Sequence, residues 1–135
     1  LVLRKQQLVR KKIISDKEFK PLPFVKEFIQ KYQNHYLMGI ASSGSRKTIT
    51  IALKRLGIQN SFKHILCNED VSKSKPSPEI YLKISSLENF PRSECLIFED
   101  SENGIRAAKD AFIPHIDIKI YPFNILLEKF NNIHE

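Results

Sequence analysis

Glu99 and Asp100 stand side by side after the apolar run 95–98, and Ser101 and Gly104 follow closely. Adjacent carboxylates repel one another and resist joint ionisation without a nearby cation. Mg²⁺, which takes oxygen ligands, answers that cost. Upstream, Ser42-Ser43-Gly44-Ser45 follows a second apolar run, and Lys75 lies in the polar segment 72–78. Ser42 and the amides of the turn can donate to phosphoryl oxygens. The turn opens a predicted helix, whose amino end favours anions. Gly44 permits close backbone approach, and Lys75 can neutralise phosphate charge. Each feature alone has a plainer meaning. The serine turn is then only an N-cap, the lysine a solvated loop charge, and the carboxylate pair an acidic helix start suited to the macrodipole. Their order, each after a predicted strand, joins them into one phosphate- and metal-binding site.

The elements that must position these groups alternate along the chain. Val25, Phe28, Ile29 and Tyr32 have helical spacing and follow Pro21 and Pro23. Residues 36–41 read as a buried strand. Ile49, Ala52, Leu53 and Leu56 mark a second helix ending near Gly57. Residues 64–67 read as a strand. Ser77 as N-cap and Pro78 in the first turn open a helix whose stripe is Ile80, Tyr81, Ile84 and Leu87. Residues 95–98 give a third strand, Ile105, Ala108 and Phe112 a further helix, 115–120 an edge strand, and 124–131 a last helix. Strands separated by helices imply a parallel sheet covered by helices, wound in the right-handed sense. Ligands of such sheets bind at the carboxyl ends of the strands, where the serines, Lys75 and the carboxylates fall.

Bulk properties narrow the classes. The 135 residues suffice for one domain. With 41% hydrophobic and 27% charged residues, the composition is that of a soluble globular protein. No apolar run approaches the roughly 18 residues of a membrane span. Two cysteines, Cys67 and Cys95, without a C-x-x-C suggest a reduced, cytoplasmic protein with buried thiols. The net charge of +7 is spread along the chain, with one dense group at Arg4, Lys5, Arg10, Lys11 and Lys12. It fits a solvated surface or an anionic small substrate better than a nucleic-acid footprint.

The segments 39–45, 74–81 and 96–111 resemble the second, third and fourth motifs of haloacid-dehalogenase-like phosphohydrolases. The nearest branch contains β-phosphoglucomutase and sugar-phosphate phosphatases, and the resemblance runs from about residue 20 to 120. It implies an α/β, Rossmann-like three-layer core with a parallel sheet and a helical cap inserted after the first strand. It further implies that Ser42 binds the transferring phosphoryl group, with Ser43 adding a contact. Lys75 would bridge nucleophile and phosphoryl group, and Glu99 and Asp100 would hold Mg²⁺. The implied activity is that of a Mg²⁺-dependent phosphatase or phosphomutase acting on a small phosphorylated metabolite such as a sugar phosphate, through an aspartyl-phosphate.

One departure matters. The family's nucleophile stands in a D-x-D-x-T segment on the central first strand. None of Asp16, Asp70, Asp100, Asp110 and Asp117 lies in such a segment. Residues 1–15 therefore read as the end of the cap, and 16–135 as a core lacking its first strand. The expectation is an incomplete fold and a chain inactive alone. It would be the carboxyl-terminal part of a longer protein, the product of a broken reading frame, or a partner for a separate amino-terminal segment that supplies the strand. The alternative is a catalytically inactive fragment or interaction module. A nucleic-acid binder is a weaker third reading.

Overall fold

The computed structural model describes residues 3–6 and 24–134. Its sheet holds five parallel strands in the order β3-β2-β1-β4-β5. They are β1 (Leu3–Gln6), β2 (Leu37–Ala41), β3 (His64–Leu66), β4 (Cys95–Glu99) and β5 (His115–Asp117). The helices are α1 (Val25–Tyr32), α2 (Arg46–Leu56), α3 (Glu79–Ser86), α4 (Glu102–Asp110) and α5 (Phe123–His134). The α/β, three-layer parallel architecture expected from the alternating pattern is present.

Side-chain alternation along the strands divides the core in two. Met38 and Ile40 of β2 and Phe98 of β4 face α1, α2 and α5, where Phe28 packs its ring 5.6 Å from Phe98 and 5.3 Å from Phe123. Ala41, Cys95 and Ile97 face the other layer, made by Ile80, Tyr81 and Ile84 of α3 and Ala107 and Ala108 of α4. The period of two that puts Ile97 on this layer also sends Glu99 there. A carboxylate thus ends a core-facing row, and the surrounding elements must satisfy it.

Several boundaries differ from the sequence expectation. The strand predicted over 115–120 pairs only at His115–Asp117, because the Asp117 carbonyl accepts from the Ile120 and Tyr121 N–H groups and turns the chain. Pro78, not Ser77, precedes the first residue of α3, although Ser77 Oγ still accepts from the Glu79 N–H at 3.3 Å. The largest difference is at the sheet centre. The position expected to be vacant, between the strand ending at Ser42 and the strand ending at Glu99, is filled by Leu3–Gln6. Leu3 pairs with Leu37 on one side and with Cys95 on the other. Two open strand edges facing each other leave unpaired N–H and C=O groups; an extended segment of the same chain satisfies them. The rest of the segment read as cap, residues 1–2 and 7–15, lies outside the described residues.

Candidate phosphate-binding site

Three connections converge at the carboxyl edge of the sheet. The first is the serine turn after β2. Ser42 is fully buried; its N–H bonds the Leu66 carbonyl, and its Oγ accepts from the Gly44 N–H at 3.0 Å. The hydroxyl keeps its own proton to donate. Ser45 caps α2 by accepting from the Thr48 N–H. The first amide of α2, at Arg46, is already taken by the Glu69 carboxylate at 3.0 and 3.1 Å, so Glu69 occupies part of the helix end expected to attract phosphate. Arg46 also pairs with Asp70, which ties the turn to the loop after β3.

The second connection is the segment preceding α3. Glu79 Oε2 accepts from the Ser72 N–H at 2.6 Å and the Lys73 N–H at 3.3 Å, which bends the segment back over its own helix. Lys75 is thereby directed inward and is only 8% exposed. Its ammonium donates to the Ala41 carbonyl at 3.0 Å and to Glu99 Oε2 at 3.1 Å.

The third is the β4–α4 junction. Ser101 caps α4, accepting from the Gly104 N–H. Glu99 is fully buried. Its Oε2 accepts from the Tyr81 hydroxyl and Lys75. Its Oε1 accepts from the Asp100 N–H at 3.0 Å, the Ser101 N–H at 3.3 Å and the Ser101 hydroxyl at 3.2 Å. An ionised carboxylate offers about four lone-pair directions, so these donors saturate it. Burial pushes the Glu99 pKa up; the Lys75 charge and the hydrogen bonds from Tyr81, Lys75 and the Asp100 amide outweigh burial and hold it below the usual carboxylate value. The room for this carboxylate comes from Gly104, where an added Cβ would lie 1.9 Å from Glu99 Cδ.

A pocket of about 160 Å³ opens among Ser43, Ser74, Lys75, Ser101 and Asn103. Of the residues singled out in the sequence, Ser43 and Lys75 line it. Ser42 is buried in the adjoining turn, Glu99 reaches the pocket through Lys75, and the half-buried Asp100 stands between Glu99 and Ser101. Sequence reasoning missed Ser74 and Asn103, and noted Ser101 beside the carboxylates without giving it a place in the pocket. Each neighbours a recognised residue, and their small polar side chains were the available signal. The lining is one cation plus hydroxyls and an amide, a donor set matched to a phosphoryl group. Among the described residues no group of three or more His, Cys, Asp or Glu gathers. Mg²⁺ is usually bound by one or two carboxylates together with phosphate and water, so a site for it does not require such a group.

Known proteins are similar to this chain in sequence and fold. A phosphorylated carbohydrates phosphatase of Thermotoga maritima is 29% identical over 115 residues, 84% of this chain and 53% of that protein. The fructose-1-phosphate phosphatase YqaB of Escherichia coli is 24% identical over 120 residues, 89% of this chain and 62% of that protein. Among solved structures, a mutant of CbbY from Rhodobacter sphaeroides in complex with xylulose-(1,5)bisphosphate superposes with a TM-score of 0.71 at 25% identity, covering 77% of this chain and 48% of that one. The chain thus spans about half the length of such relatives. Residues 4–118, which include all three connections at the pocket, match the haloacid dehalogenase-like hydrolases, and the chain belongs to that family.

Proposed function

We propose that this chain carries the phosphate-binding half of a phosphatase or phosphomutase acting on a phosphorylated sugar. The observation that carries the reading is the pocket where Lys75, Ser43, Ser101 and Asn103 meet at the carboxyl edge of the sheet. Lys75 would meet the phosphoryl oxygens as a fixed positive charge, held by Glu99 and the Ala41 carbonyl. Ser42, Ser43 and the turn amides would donate to the same oxygens, stabilising charge where it develops. Asp100 would hold Mg²⁺, which when bound supplies further neutralisation of phosphate charge. Glu99, saturated by its donors, would position Lys75 and reach the ion indirectly. The relatives acting on phosphorylated carbohydrates and fructose-1-phosphate support the substrate class.

The nucleophile would come from outside this sequence. In the aspartyl-phosphate route, a carboxylate oxygen bonds to phosphorus as the ester P–O bond breaks, and the sugar oxygen takes a proton from a general acid that would likewise come from outside this sequence. Water then cleaves the acyl phosphate to give inorganic phosphate and the free carboxylate. The strand at the place where such a carboxylate is needed reads Leu3-Arg4-Lys5-Gln6. It has one apolar residue, whereas strands buried on both faces of parallel sheets are rich in them. This mismatch supports a substitute occupant whose place a separate amino-terminal strand would take. It equally favours the second reading, an inactive fragment or interaction module.

The test joins an amino-terminal segment bearing a D-x-D-x-T strand to this chain and measures phosphate release from a panel of sugar phosphates. We expect Mg²⁺-dependent turnover that is lost in Asp100→Ala and Lys75→Ala, and none from the chain alone. Absence of Mg²⁺-dependent release, or indifference to Asp100→Ala, removes the enzymatic reading.

A further inference from the structure

Tyr81 is fully buried on α3 and touches both members of the ion pair. Its hydroxyl donates to Glu99 Oε2, the same oxygen that receives Lys75. Its ring centroid lies 4.6 Å from Lys75 Nζ, within the range of a cation–π contact. A buried tyrosine needs some acceptor for its hydroxyl, and a backbone carbonyl would serve a purely structural ring. Here the acceptor is the counter-ion of the pocket lysine, and the ring face is turned to the lysine itself. Lysine carries its charge on a flexible four-carbon stem. The Ala41 carbonyl, Glu99 Oε2 and the Tyr81 ring together bracket the ammonium.

We propose that Tyr81 is a positioning residue: through its hydroxyl on Glu99 and its ring beneath Lys75, it holds the Lys75 ammonium at the edge of the pocket. The proposal rests on the phosphate-site reading above. It predicts that phosphate meets a charge already in place, so that the ordering of the lysine is not charged against binding.

The experiment uses the chain labelled with ¹⁵N at lysine Nζ and calorimetric titration with inorganic phosphate in the presence of Mg²⁺. In the wild type we expect a slowly exchanging ammonium signal, shifted upfield by the ring, that vanishes in Lys75→Met. Tyr81→Phe keeps the ring and removes the donor. It should broaden this signal and weaken phosphate binding about tenfold, the scale of one hydrogen bond to a charged group. Ile84→Val, a packing change in the same buried layer, should alter neither. A Lys75 signal without the upfield shift overturns the proposal on the wild type alone, whether or not Tyr81→Phe folds. So does a Tyr81→Phe protein with wild-type ammonium signal and phosphate affinity. If the wild type binds no phosphate, the pocket reading falls instead, and the ammonium signal still decides whether Tyr81 holds Lys75.

Discussion

Replacing Gly104 by alanine sets helix propensity against the buried carboxylate. Alanine is favoured over glycine within a helix by up to ~1 kcal/mol, and by that measure Gly104→Ala should stabilise α4. The structure predicts the reverse. The new Cβ would lie 1.9 Å from Glu99 Cδ, 2.1 Å from Oε2 and 2.4 Å from Cγ. Carbon atoms pack at about 3.5 Å, so roughly 1.5 Å of movement is required. An exposed glutamate would swing aside at little cost. Glu99 is fully buried and accepts from Tyr81, Lys75, the Ser101 hydroxyl and two backbone amides. Its displacement leaves Lys75 buried without its counter-ion. Breaking a buried pair costs about 3–5 kcal/mol; less the propensity gain, the net loss is about 2–4 kcal/mol. Urea unfolding followed by circular dichroism should show this as a lower midpoint at unchanged slope. In a Glu99→Ala background the clash disappears, and the added methyl should be neutral or mildly stabilising, a coupling that a double-mutant cycle reads directly. A Gly104→Ala protein as stable as the parent, or more so, would refute the argument that Gly104 makes the space for Glu99.

Three further expectations can be measured the same way. Ser45→Ala removes the side chain that accepts the Thr48 N–H at the start of α2 and should cost about 1 kcal/mol. Phe112 ends α4 at φ 57° and is 79% exposed, with its own N–H on the Lys109 carbonyl and that of Ile113 on the Ala108 carbonyl. Phe112→Gly keeps those bonds, relieves the left-handed backbone and should stabilise by up to ~1 kcal/mol. Hydrogen bonds from Lys63 and His64 hold the Glu88 carboxyl below its usual pKa. Its contribution is therefore present above the unfolded value of about 4.3 and lost as pH falls through the lower folded value. Glu88→Gln should lower the urea midpoint at neutral pH, and the gap to wild type should close in acid.

What the sequence disclosed follows from the range of each interaction. The apolar runs of β2 and β4 and the stripe of α2 are local patterns, and those elements formed where the patterns lie; α4 formed too, but Phe112, read into its stripe, lies past the helix end and is exposed. Lys75 and Ser43 could be brought to one edge because parallel βα order places whatever follows each strand at the same end. Tyr81 was legible only as one member of a core stripe. Its hydroxyl partner is 18 residues away, and no periodicity carries that information. Gly104 reads as an ordinary helix residue until the side chain of Glu99 is placed beneath it. The central strand was hidden for a different reason. Leu3-Arg4-Lys5-Gln6 has no strand-like alternation of its own; the open edges of β2 and β4 select it, not its side-chain pattern.

The central claim is that one pocket at the carboxyl edge of this sheet receives phosphate. Diffraction from crystals of the chain soaked with Mg²⁺ and tungstate, a phosphate mimic with a strong anomalous signal, tests it directly. The account predicts an anomalous peak within hydrogen-bonding reach of Lys75 Nζ, Ser43 and Asn103, absent in Lys75→Met crystals. A peak elsewhere on the surface, or one at this pocket that survives Lys75→Met, would contradict it.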